Sequence, residues 1–120
     1  MKPYQDARLE GEKLAKQYAE LEKADQVDFY NGLEGYYSVL GHNKKQEAIA
    51  VLIEKNDHKI YVYQLDKGIS QDKAATISRE KGASDIDKIT FGRYQDKPIW
   101  EVKSGNRYYL VDFETGAVIQ

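Results

Sequence analysis

The chain has 120 residues, 41% hydrophobic and 32% charged, which is enough apolar material for one packed domain or for two small units that depend on a shared core. The 18 Lys and Arg against 20 Asp and Glu leave a net charge of −2, and neither sign forms a long block, so binding to nucleic acid by phosphate neutralisation and a polybasic membrane patch both lack support. The chain has no cysteine, which excludes disulfides, thiolate zinc sites and thiol nucleophiles.

From Gln5 to Lys23 the residues Ala7, Gly11, Leu14, Tyr18 and Leu21 recur at spacings of four and three. That periodicity predicts an amphipathic helix, with Glu12 and Lys16 as a favourable pair one turn apart on its polar side. Short β-prone runs follow at Gln26–Tyr30, Tyr36–Leu40, Ala48–Glu54 and Lys59–Leu65. The turn residues between them, Asn31-Gly32, Gly41-His42-Asn43 and Asn56-Asp57, predict an antiparallel meander.

Asp66-Lys67-Gly68 interrupts the pattern, and Ser70 then stands where a helix N-cap belongs, with Asp72 in the first turn. This second helix runs through Ala74, Ala75 and Ile77 to about Lys81, and Gly82 ends it. Strands resume at Ile86–Tyr94, Ile99–Lys103 and Tyr108–Phe113, with Gly105-Asn106 in one turn and Glu114-Thr115-Gly116 in the next. A short strand over Ala117–Ile119 closes the chain.

The order helix, strands, helix, strands makes this an α+β chain of two units, residues 1–66 with the long first helix and residues 67–120. The halves align: Asp25–Phe29 lies on Asp87–Phe91, and Tyr36–Val39 on Ile99–Val102 after a one-residue slip. A period of about 60 residues is the mark of a duplicated unit.

Chemical motifs are few. Ser70-Gln71-Asp72-Lys73 has the serine-x-x-lysine spacing of penicillin-recognising enzymes, but neither Ser-Asp-Asn nor Lys-Thr-Gly accompanies it, and helix capping accounts for the serine. The two histidines, His42 and His58, sit beside turn residues without further ligands at fixed spacing, so no metal is expected. The carboxylates fall on polar faces and in turns, and the nine glycines are scattered singly, so neither an acid–base pair nor a phosphate loop is indicated. The expectation is a protein with no catalytic residues and no cofactor.

Ten tyrosines are the unusual feature, eight of them in the strands. Tyrosine suits a half-buried pleated surface, and it also supplies contact area with a polar tip to a recognition surface. Lys59–Leu65 and Tyr108–Phe113 are apolar or aromatic on both alternating faces, whereas one helix covers only one face of a sheet. The second face needs a cover: the sister unit, a second copy forming a homodimer, or another protein. Tyr36, Tyr61, Tyr63 and Tyr108 are the candidate protein-binding residues.

Gly68-Ile69-Ser70 opening a helix, then Trp100-Glu101-Val102, then Val111-Asp112 followed by Thr115-Gly116-Ala117-Val118 resembles a PepSY-type repeat. With a more divergent copy in front, carrying Asn56-Asp57-His58 where the Thr-Gly turn would fall, the chain from about Ala7 onward resembles the YpmB-like (TseB) cell-wall elongation regulators of Gram-positive bacteria. The resemblance implies two tandem cystatin-like units, each a helix packed on an antiparallel β-sheet. It places them on the extracellular face of the cytoplasmic membrane, held by an N-terminal anchor absent from this sequence, and implies a non-catalytic role through contact with an envelope protein, namely a class B penicillin-binding protein. A protease-inhibitor or propeptide-like module is the alternative, because PepSY-type units also occur in peptidase propeptides; it would bind through turns such as Asn31-Gly32 and Gly105-Asn106.

Overall fold

The computed structural model describes the backbone of residues 3–119 and the side chains of residues 9–119. The chain divides into two compact units, with the break between Gln64 and Leu65. It is a mixed α+β protein with two helices and two antiparallel sheets.

The first unit opens with α1 (Pro3–Tyr18), continues into β1 (Leu21–Asn31), β2 (Gly35–Asn43), β3 (Ala48–Glu54) and β4 (Ile60–Gln64), and forms a meander in which each strand pairs with the next. Helix α1 packs on β1, β2 and β3. It ends five residues before the periodicity predicts, because Glu20 takes a positive φ of 58°, a break that stops the helix and starts β1 at Leu21. Its buried stripe also differs from the predicted one. Gly11, Ala15 and Ala19 face the sheet, Leu14 is half-buried, and Tyr18 is 61% exposed; Ala7 lies outside the described side chains. The cause is close approach: a Cβ on Gly11 would stand 3.1 Å from the Tyr37 Cβ, so the helix presents its smallest residues at intervals of four.

The core under α1 is Leu21, Val27, Tyr37, Val39, Ile49, Val51 and Ile53, alternate residues of three strands. Strand β1 is longer than predicted because two register shifts, between Leu21 and Lys23 and between Ala24 and Gln26, let it continue past its irregular start.

The second unit begins with a 3-10 turn at Leu65–Lys67 and contains α2 (Gln71–Glu80), β5 (Lys88–Tyr94), β6 (Lys97–Ser104) and β7 (Arg107–Asp112), again a meander. Ser70 caps α2, its Oγ accepting from the Lys73 N–H at 3.0 Å. At the other end the Ala83 N–H donates to the Ser78 carbonyl and the Gly82 N–H to that of Arg79, a Schellman motif that needs Gly82 at φ 115°. Phe91, Trp100 and Phe113 form an edge-to-face cluster with centroids 4.9–6.4 Å apart.

The predicted final strand is reduced to one bridge, Val111↔Val118. The preceding turn is held by Asp112, whose Oδ1 accepts from the N–H of Glu114 and Thr115 at 2.8 and 3.0 Å, while Gly116 takes φ 82°. Bonds from the Asp112 N–H to the Ala117 carbonyl at 2.8 Å and from the Ile119 N–H to the Leu110 carbonyl at 2.7 Å flank the bridge.

Candidate protein-binding surface

Strand registers decide which tyrosines share a face. Tyr36 stands opposite Glu54, Ser38 opposite Leu52 and so beside Tyr61, and Leu40 opposite Ala50 and so beside Tyr63. Tyr36, Tyr61 and Tyr63 therefore lie on the face of the first sheet that is turned away from α1. Tyr30, opposite Tyr36, belongs to the same face. The rings run in series, with Tyr30 to Tyr36 at 6.4 Å and Tyr36 to Tyr61 at 6.3 Å edge-on.

The position of Tyr36 in that series removes it from the contact surface. It is 2% exposed, and its hydroxyl donates to Glu34 Oε2 at 3.3 Å. The rings of Tyr30 and Tyr61 flank it across the strands, so Tyr36 presents almost no surface in this structure. Tyr61 and Tyr63 remain half-buried.

Tyr108 belongs to the second unit and is 54% exposed. It stands opposite Lys103, which stands opposite Lys88, so two lysines and a phenol form one row across β5, β6 and β7. The adjacent row is Thr90, Glu101 and Leu110. Burial raises the Glu101 carboxyl above the ordinary range, with Lys88 opposing. Lys88, Lys103 and Glu101 were not candidates from the sequence. Their only linear signal is alternation along single strands, and cross-strand adjacency is a property of register.

A second group of carboxylates sits at the β3–β4 turn. Burial raises Glu54, helped by its hydrogen bond to Asp57 and the charges of Asp57 and Glu34, while Lys59 opposes. Asp57 is lowered: burial pushes it up, but the bond from Glu54 and the Lys59 backbone N–H and ammonium outweigh that. His42 Nδ1 lies 2.9 Å from Asp25 Oδ2, and His58 closes the turn with φ 56°. Among the described residues no group of three or more His, Asp or Glu is placed to hold a metal ion.

What the geometry presents is thus a small α+β protein of two helix-on-sheet units, whose exposed features are aromatic and charged strand residues. The comparisons make this class specific. The family described as the cell wall elongation regulator TseB-like domain matches residues 10–54. A Bacillus subtilis (strain 168) protein named "Probable cell wall elongation regulator TseB" is 36% identical over 114 residues, covering 88% of this chain and 70% of the relative. The solved structure of the YpmB protein from Bacillus subtilis superposes with a TM-score of 0.82 at 30% identity, over 96% of this chain and 95% of that one. The chain belongs to the TseB family of cell wall elongation regulators.

Proposed function

We propose that this chain is a non-catalytic, extracytoplasmic protein-binding regulator of cell-wall elongation that acts through a class B penicillin-binding protein. The observation that carries the reading is its 36% identity, over 88% of its length, to a relative named for regulation of elongation. Its two units are read as tandem cystatin-like, PepSY-type repeats. In support, each has a helix packed on an antiparallel sheet, and the aligned segments Asp25–Phe29 and Asp87–Phe91 fall on β1 and β5, the first strand after each helix. An anchor N-terminal to residue 1 would hold the protein on the outer face of the membrane; no helix among the described residues is long and apolar enough to cross it.

Recognition is assigned to one row of the second sheet, the exposed Tyr108 and Lys88 with the half-buried Lys103, and in the first unit, as a separate candidate, to the half-buried Tyr61 and Tyr63. A phenol beside two ammonium groups suits a partner surface that offers carboxylates around an apolar patch. The test is photo-crosslinking in cells from a benzoyl-phenylalanine at position 108, followed by labelling with a fluorescent penicillin. A crosslinked product that carries the penicillin label is expected. Crosslinks to cytoplasmic proteins only, or none, would sink the reading.

A further inference from the structure

Of the four asparagines in the chain, Asn31 alone is followed by glycine; Asn43 precedes Lys44, Asn56 precedes Asp57 and Asn106 precedes Arg107. Asparagine is thermolabile because the nitrogen of the following peptide can attack its side-chain carbonyl, and a glycine there leaves that nitrogen unshielded and its backbone free to turn.

The fold holds this dipeptide in the open. Asn31 is the last residue of β1, Gly35 opposite it is the first of β2, and Gly32, Leu33 and Glu34 between them are exposed, as is Asn31. Packing also demands the glycine. A Cβ on Gly32 would stand 2.5 Å from the Tyr30 hydroxyl and 2.6 Å from its ring, and Tyr30, 1% exposed and packed on Tyr36, cannot swing aside. The aromatic row of the first sheet thus imposes the reactive neighbour. Asn43 is held quite differently: its Oδ1 accepts from the N–H of Lys45 and Glu47 at 3.0 and 2.9 Å, and its Nδ2 donates to Glu47 Oε1 at 2.9 Å, which fixes its rotamer.

We propose that Asn31 is a site of spontaneous covalent modification, in which the Gly32 backbone nitrogen bonds to the Asn31 Cγ. The Cγ–Nδ2 bond breaks, and the proton of the Gly32 N–H leaves with Nδ2 as ammonia, closing a five-membered succinimide. Water then opens the ring. Cleavage of the bond from nitrogen to Cγ leaves aspartate, and cleavage of the bond from nitrogen to the main-chain carbonyl carbon leaves isoaspartate; nothing is oxidised or reduced. Ring closure requires rotation about the Asn31 ψ, which a strand's last residue permits most readily because strand ends fray.

Either product places a carboxylate beside Lys55. A Cβ on Gly35 would meet the Lys55 Cδ at 3.1 Å and the Asn31 Oδ1 at 3.4 Å, so the two side chains flank one spot, and the Lys55 ammonium stands 4.8 Å over the Phe29 ring. Isoaspartate also adds a methylene to the main chain at the Asn31–Gly35 pair, which puts the closing pair of the hairpin out of register.

The intact protein, held at about 37 °C and pH 8 for weeks, digested and read by fragment mass spectra, gives the rate of amide-to-acid conversion at each asparagine. Asn31 is expected to convert at least tenfold faster than Asn43, Asn56 or Asn106, with isoaspartate the larger product in methyltransferase labelling. Asn31→Gln should abolish that labelling and keep the thermal midpoint, because the side chain is exposed and the longer arm closes only a slower, six-membered ring. Conversion at Asn31 no faster than at the other asparagines would overturn the proposal. So would aspartate formed at position 31 without isoaspartate, which would mean direct hydrolysis of the amide.

Discussion

Gly41 has no room for a side chain. A Cβ there would land on the Lys23 carbonyl oxygen and 2.8 Å from the Leu21 Cδ1, at the bulged start of β1. Because backbone is in the way, the neighbour cannot rotate aside, and Gly41→Ala is expected to cost about 1–3 kcal/mol in urea unfolding. Gly68 is similar: its Cβ would lie 2.6 Å from the Phe113 ring, beneath the strap that Trp100 Nε1 ties by donating to the Ile69 carbonyl at 3.0 Å. Tyr109 gives the opposite sign. Its hydroxyl and the Ser78 Oγ are buried with no hydrogen-bond partner among the described residues, so Tyr109→Phe removes an uncompensated polar group and should raise the unfolding midpoint. Glu101 carries a pH signature. Its folded pKa is raised by burial, so the folded state disfavours the carboxylate, and stability falls as pH climbs from the ordinary glutamate range through the raised value. Glu101→Gln should melt higher than wild type at pH 7 and match it at low pH, where both side chains are neutral; equal melting at both pH values would contradict this.

At the scale of elements, capping was legible in the sequence and helix length was not. Ser70 stands before an apolar run, where an N-cap belongs, and its Oγ bond to Lys73 makes it one. Ser70→Ala should therefore cost about 1 kcal/mol, read by denaturant midpoint. The serine-x-x-lysine spacing is a by-product of that cap, with Lys73 exposed. Helix α1 shows why the rest was hidden. Its predicted stripe chose the large residues Leu14 and Tyr18, but a helix lying close on a sheet buries its small ones, here Gly11, Ala15 and Ala19. Size at a contact depends on the distance between elements, which no single-element periodicity contains. The spacing of Leu21 from Tyr18 fits the end of a helical stripe as well as a strand; the left-handed Glu20 assigns it to the strand.

At the scale of the molecule, the sequence places the tyrosines in strands but does not say which are exposed; Tyr108 is an exposed aromatic ring. Tyr36 looked the same in the sequence, yet it is enclosed by Tyr30 and Tyr61 through pairings that only the folded registers create. Tyr108→Ala should leave the thermal midpoint within about 0.5 kcal/mol of wild type, as exposed positions usually do, while weakening capture of the partner. Tyr36→Ala should instead unfold the first unit's aromatic row at a cost of about 3–5 kcal/mol. Loss of partner capture in the Tyr36 variant but not in the Tyr108 variant would mean that the surface has been assigned to the wrong unit.

By itself the sequence determined the α+β class, the order of elements, the turn and cap residues, and the family. The class, the order of elements and the turn and cap residues follow from local chemistry: side-chain periodicity, conformational freedom at glycine and hydrogen bonding within a few residues of the backbone; the family rests instead on a resemblance of motifs such as Thr115-Gly116-Ala117-Val118. Tertiary structure decided which tyrosines are buried, which small residues line α1, and that Lys88, Lys103 and Tyr108 form one row. These are consequences of register and of how closely elements approach. A one-residue slip in register would reverse every face, so they are settled only when the strands pair.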